Sequence, residues 1–390
     1  MMNDNPAHRA APTPPDPTAV AASIDAHRAH PEVDLRRHSR NRQIELARSL
    51  QGRRAIYLDL KFWIGLRDAE AVSHTPHPYH DLLAALRRAV AESRAFCPIS
   101  DGCFLEVFKQ SDPATRRKTA ALIDELSLGV TIIPFDLRVG TEIAHLLHAA
   151  RTPKPVCPLD QLVWTKLSYA LDYFSPPVGM FDEHTGRAIE KAFFDHMWTV
   201  PLVEIEQRIG DAMSTKDPGH HERLAHTLNQ GVAEHASDIK SFKQAYEHEL
   251  VGVMDLYASR AVDILCNMAP PSMGPRPAED TEEYRSIERH CLGLLVAAMN
   301  TDRGKATLRT LHIETSIHAA VRWNKGQKFK ANDFFDHQHA AAAVGYCDAF
   351  FTERSLANIL TRSDLALDKL YDCTVVSTPE AALQYARSVI

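Results

Sequence analysis

Short apolar runs with the make-up of buried strands fall in two separate parts of this chain, and a fold must bring those parts together. The first part holds "RRAIYLDLKFW", where Ala55 to Leu58 read as a buried strand ending in Asp59. It also holds "FCPISDGCFLEVFKQ", a short strand entering a helix with Asp101 near its start and Glu106 inside it, and "GVTIIPFD", a further strand. Between them lie the helical patterns "HDLLAALRRAVAES" and "SDPATRRKTAALIDELSL", the second opened by a Ser or Asp cap and a Pro, and after them "RVGTEIAHLLHAA". Such alternation over residues 55 to 150 argues for a parallel sheet covered by helices. Strand patterns return only with "CDAFFT" and "DCTVVST", the latter followed by the helix "PEAALQYARSV" with Pro379 at its first position. From about 155 to 325 the segments are long and helical in period, with no convincing strand, and the Pro-dense "APPSMGPRPAEDTEEY" divides them. The chain thus reads as an α/β unit, residues 50–150 and 326–390, interrupted by a large all-α insertion at 151–325.

A chain of 390 residues, 45% apolar and 24% charged, has ample material for a core of this kind. Its net charge of −6 argues against a protein that coats polyanions, while leaving room for a local basic groove. Seven scattered cysteines make no disulfide framework or zinc ribbon, so a reducing cytoplasm is the expected compartment. Neither a signal-type nor a bilayer-length apolar segment is present. Residues 1–35, rich in Pro and Ala at their start, read as a flexible tail.

The acids carry the chemistry. Ligand sites of doubly wound sheets lie at the C-terminal ends of strands, where Asp59 and Glu353 fall. In "NDFFDHQHAAAAVGYCDAFFTE", Asp333 and Asp336 share a helix face, and Asp348 falls in the strand pattern "CDAFFT" that Glu353 follows. Carboxylates meeting in one crevice raise one another's pKa values, and a divalent cation removes that penalty. Oxygen ligands suit Mg²⁺ or Mn²⁺, and a pair of such ions supports phosphodiester hydrolysis. Each acid also has a plainer role available: a hydrogen-bonding partner for Asp59, Asp336 and Asp348, a solvated helix face for Glu106, a cap for Asp333 and Asp101. His337 and His339 invite a metal or general-base role, with a hydrogen-bonded helix histidine as the plainer reading.

The series "IYLDLKFW", "ISDGCFLEVF", "KANDFFDHQHAAAAVGYCDAFFTERSL" and "CTVVSTPEAALQYA" resembles the PIN-like nuclease superfamily in order and patterning. The resemblance covers roughly residues 50 to 150 and 325 to 390, with Lys330 to Leu356 its most specific part. It implies a three-layer α/β/α unit with a central parallel sheet, and a metal-dependent endonuclease acting on single-stranded RNA through a metal-activated water. On the matching positions, Asp59, Glu106, Asp336 and Glu353 would be catalytic and hold the ions, with Asp333 and Asp348 as further candidate ligands. The last acid is a Glu directly after Thr352, where the family has Asp. Members of this superfamily in bacteria often serve as toxins or in antiviral defence, a role the resemblance extends to this chain.

"VRWNKGQKFK" supplies Arg322, Lys325, Lys328 and Lys330 as candidate phosphate contacts, with Trp323 or Phe329 for base stacking. The "RRK" of residues 116 to 118 could add to them, and Lys61 could touch a phosphate, although a solvated lysine is the plainer reading. The insertion would narrow access, dimerise, or bind a regulatory partner. A rival of another class is a catalytically inactive PIN-like scaffold that binds RNA or a protein through its helical block. A Mg²⁺-dependent phosphatase would need an Asp-x-Asp after the first strand, and "DLKFW" lacks it. "HHERLAH" spaces His221 and His226 five apart, which does not make a zincin site, and no P-loop, G-x-S-x-G or G-x-G-x-x-G occurs.

Overall fold

The computed structural model describes residues 16–72, 77–151, 156–214, 219–234, 239–269, 274–324 and 326–390. Six strands are present among them: β1 (Arg54–Leu58), β2 (Ala95–Phe96), β3 (Val130–Ile132), β4 (Trp164–Lys166), β5 (Ala349–Phe351) and β6 (Thr374–Val376). The helices before β4 are α1 (Pro17–Arg28), α2 (Leu35–Ser49), α3 (Leu60–Ala71), α4 (His80–Ala91), α5 (Asp101–Lys109), α6 (Pro113–Ser127) and α7 (Phe135–Arg151). Between β4 and β5 run α8 (Glu183–Met197), α9 (Leu202–Ser214), α10 (His220–Glu234), α11 (Phe242–Asn267), α12 (Glu282–Met299), α13 (Asp302–Thr307), α14 (Arg309–Trp323) and α15 (Asp333–Tyr346). The C-terminal part adds α16 (Arg354–Leu360), α17 (Leu367–Leu370) and α18 (Pro379–Val389). No helix among the described residues is long and apolar enough to cross a membrane.

Four strands form one parallel sheet in the order β2-β1-β5-β6. The two ends of the chain therefore build one sheet, with Ile56, Tyr57 and Leu58 opposite Ala349, Phe350 and Phe351. Alternation along the strands divides the core between two faces. Ile56, Leu58, Ala349 and Phe351 pack with α3, α4, α5, α6, α9 and α18 on one side. Ala55, Tyr57 and Phe350 pack with α2, α14, α15 and α16 on the other. Helices thus cover both faces of the sheet, which is why its strands read as continuous apolar runs.

Three expectations need correction. β3 lies outside the four-stranded sheet; it pairs antiparallel with β4, and only the bridge Ile99↔Thr131 links it to the segment after β2. β4 itself stands inside the stretch expected to hold no strand, because three residues are too few for a periodic signal. Residues 17 to 28, expected within a flexible tail, form α1, capped by Asp16 and followed by the Asp34-capped α2; residues 1–15 lie outside the described residues.

The helical block is built into the α/β unit rather than appended to it. Val139 and Ile143 of α7 share a core with α11, α12 and Leu311 of α14. Arg116 of α6, with a side chain only 1% exposed, donates from Nε to Glu206 of α9 at 2.9 Å. A buried pair of this kind is costly to break on one side alone.

Candidate metal centre

The strand order sets where a ligand can enter. From β1 the chain moves outward to β2, and from β5 it moves outward the other way to β6, so the loops after β1 and β5 part at a topological switch point. Asp59 and Glu353 occupy those two loops. Asp59 ends β1 and caps α3, its Oδ1 accepting from the Phe62 amide at 3.2 Å. The Asp59 amide donates to the Phe351 carbonyl at 3.0 Å, which locks the loop to β5. Glu353 sits at the N-cap position of α16 with no capping bond from its side chain and is exposed.

Helices α5 and α15 bring the other groups. α15 is buried along Ala340 to Val344, where small side chains let it lie close on the sheet, and its polar residues are confined to the first turns. Asp336 stands there, and His339 one turn on shares its face. The His339 Nε2 contacts Glu106 Oε2 of α5 at 2.7 Å, and its Nδ1 contacts the Tyr57 hydroxyl at 2.6 Å. Tyr57 in turn meets Ser100 Oγ at 2.7 Å. Because a carboxylate only accepts, Nε2 carries a hydrogen toward Glu106.

Electrostatics join these residues into one site. Burial pushes the Asp59 carboxyl up to about 6; the His339 charge, the Phe62 amide and Thr352 oppose the rise, and Glu353 adds to it. Asp336 is pushed up to about 7, first by burial, against the opposing charge of His339, and further by Glu106, Glu353 and Asp59. His339 is raised: burial disfavours its charge, but the Glu106 hydrogen bond and the carboxylates of Glu106, Asp59 and Asp336 outweigh that. Asp59, Glu106, Asp336 and Glu353 are therefore brought within one another's field.

Other expected ligands are not. Asp348 precedes β5 and so lies at the opposite end of the sheet from Glu353, roughly 15 Å away at the rise of an extended strand. Its Oδ1 accepts from Arg54 at 2.5 Å and its Oδ2 from the Ala55 amide at 2.8 Å, a structural tie between β1 and β5. Asp333, the first residue of α15, turns one oxygen back to the Lys330 amide of the preceding loop at 2.9 Å; the N-cap position is Asn332, which makes no side-chain cap bond, so the expected cap is not formed. Asp101 caps α7 through the Phe135 amide at 2.8 Å. His337 is buried against His318, and burial holds its pKa well below the usual range. His339, whose plainer reading held only a helix hydrogen bond, sits between the acids. Its spacing of three from Asp336 was the available signal.

The basic arm is also largely reassigned. Arg322 is ion-paired to Glu249 at 2.5 Å, Phe329 is buried in a small core with Ala225 and Phe334, and Trp323 packs beside Ile239 and Ala319. Lys325 lies outside the described residues, whereas Lys328 and Lys330 are exposed. Arg117 pairs with Glu206, and Lys118 and Lys61 are exposed. An arginine cluster that the sequence reading missed stands on α2: Arg36, Arg37 and Arg40 line a cavity of about 770 Å³ with His145, His148 and Arg260. Helical spacing within "LRRHSR" was its signal.

Among the described residues, no three of the acids bring ligand atoms within 4.8 Å of one another. No protein-family model, curated protein or solved structure matches the chain. Fold and site define a class: a mixed α/β protein with carboxylates gathered at the switch point of a parallel sheet.

Proposed function

We propose that the chain is a PIN-like, metal-dependent endonuclease that hydrolyses phosphodiester bonds, with single-stranded RNA as its substrate. What supports this reading is a pair of carboxylates, Asp59 buried at the C-terminal end of β1 and half-buried Asp336 in the first turn of α15, with their proton affinity raised by burial and by neighbouring acids. A site of this kind favours a divalent cation over the charges left alone. The donors fit Mg²⁺ or Mn²⁺: Asp59, Asp336, Glu106 and Glu353 would hold it. When bound, the ion supplies an activated water and neutralises charge developing on the phosphate.

The rest belongs to the chain. His339, fixed between Tyr57 and Glu106, orients the Glu106 carboxylate and keeps a proton at its Nε2. Exposed Glu353 lies on the substrate side, and Lys328 and Lys330 precede the helix that carries Asp336. A toxin or antiviral role and a cytoplasmic setting belong to the same proposal and rest on the resemblance.

The test is cleavage of labelled single-stranded RNA and DNA in Mg²⁺, Mn²⁺ and EDTA. Asp59→Asn and Asp336→Asn should each lower the rate by at least about a hundredfold while the far-ultraviolet spectrum is kept. A second reading, an inactive scaffold that binds RNA or a protein partner through the helical block, is favoured by the separation of the acidic ligand atoms. Metal-independent binding without cleavage would decide for it.

A further inference from the structure

The N-terminal helices meet α8 at a second cluster of metal-ligating groups, made of other elements than the acidic site. His27 of α1 and His38 of α2 both aim Nε2 at the carboxylate of Asp195 on α8, each at 2.9 Å and each on a different oxygen. The two rings stand edge to face with centroids 4.8 Å apart, and the edge of Phe194 holds His38 at 5.6 Å. One ligand atom from each of the three residues lies within 4.8 Å of the others, the only such group of three or more among the described residues. Side-chain exposures of 15%, 15% and 28% leave the cluster shielded yet reachable.

We propose that His27, His38 and Asp195 form a binding site for a borderline transition-metal ion, Zn²⁺ in the first place, that clamps α1 and α2 onto α8. Two imidazoles and one carboxylate are a zinc donor set with a fourth position left for water, whereas Mg²⁺ and Ca²⁺ take oxygens. On binding, each Nε2 gives its lone pair to the ion and its ring proton resides on Nδ1; any extra proton on a ring leaves to solvent. The two N–H to carboxylate hydrogen bonds are replaced by two metal–nitrogen bonds and a metal–oxygen bond. Arg42, with Nε 3.5 Å from Asp195, is the one lysine or arginine ion-paired with the carboxylate among the described residues, and it weakens affinity without occupying a ligand nitrogen.

The placement of α1 gives the site a purpose. None of its residues is buried, so apolar burial does little to hold it. Polar ties do that work: the Asp195 contacts, and Lys191 Nζ, which reaches the carbonyls of His30 at 2.8 Å and His27 at 3.4 Å. An ion bridging three helices would convert this polar seam into a fixed joint.

The full-length protein, stripped with EDTA and dialysed against ZnCl₂, should retain about one zinc per chain more than the His27→Gln/His38→Gln variant. The Asp59→Asn variant should keep that zinc, which separates this site from the acidic one. In wild type alone, zinc should slow diethyl pyrocarbonate modification of His27 and His38 by about tenfold or more and protect residues 17–34 from proteolysis. The wild-type footprint holds even if the double variant fails to fold. Equal zinc retention in the two proteins, or modification of His27 and His38 that zinc leaves unchanged, would reduce the cluster to a hydrogen-bonded latch and overturn the proposal.

Discussion

Asp59 does two things with one side chain: it stops β1 by capping α3, and it brings a buried carboxyl to the sheet's end. Its pKa, raised from 3.8 to about 6, makes metal-free stability depend on pH. A raised folded-state pKa adds stability below the unfolded value, and that stability is lost as pH rises through the folded one. Relative to wild type, the Asp59→Asn variant should therefore gain on the order of 2–3 kcal/mol between pH 4 and pH 7 in EDTA, with saturating Mn²⁺ shrinking the gain. Denaturant titrations at both pH values test this, and a difference that stays flat would remove burial as the source of the shift. At His339, Gln substitution leaves Glu106 and Tyr57 without their partner, so about 1–3 kcal/mol of stability and part of the Mn²⁺ affinity should go together. Calorimetry of both quantities would tell: unchanged Mn²⁺ affinity would make His339 purely structural. An acid after an apolar run marked Asp59 in the sequence. The same kind of pattern could not separate Asp348 from Glu353, because Asp348 falls inside "CDAFFT" and a strand of three residues is too short for its start, one residue after Asp348, to show in the sequence.

At the scale of elements, the sheet's strands and the helices around them were legible where period and caps agreed. "DPATRRKTAALIDELS" began at its Asp-Pro and ran as α6, and "PEAALQYARSV" ran as α18. What stayed hidden was pairing. β3 looks no different from a sheet strand, since its partner β4 is too short to register. α1 was hidden because a helix with no buried residue carries no apolar stripe. The "RRK" of α6 was weighed as a phosphate contact, yet Arg116 is spent inside the protein on Glu206 and Asp211. Arg116→Ala should cost about 3 kcal/mol, because it leaves Glu206, a carboxylate that is 1% exposed, with Arg117 as its remaining arginine and Asp211 without its pair. Urea unfolding reads that directly, and a loss under 1 kcal/mol, the scale of an exposed pair, would show that the α6–α9 contact is not a clamp. Gly304→Ala should also destabilise, since a Cβ there would stand 1.8 Å from the Ala298 carbonyl oxygen and force α13 away from α12. A thermal melt matching wild type would show that this turn can relax freely.

For the whole molecule, the division into an α/β unit and a helical block described sequence better than it describes space. α7 belongs to the strand–helix alternation and also packs its Val139 and Ile143 into the core of α11, α12 and α14. The helices seen as an insertion therefore share walls with the unit they interrupt, and nothing in local periodicity reveals a shared wall. Removing residues 331–390 takes away β5, the inner neighbour of β1, together with α15, so the remaining chain should be recovered aggregated or as a molten state rather than folded. A sharp thermal transition in that truncated protein would contradict this sheet order. The same strand order has a consequence in time. The tie between Ala55 and Asp348 spans 293 residues. At about 5–20 residues per second a ribosome needs roughly 15 s to a minute to cover that interval. During it the nascent β1 has an open edge and nothing of its own to close it, which makes the early chain a client for whatever shelters emerging polypeptides.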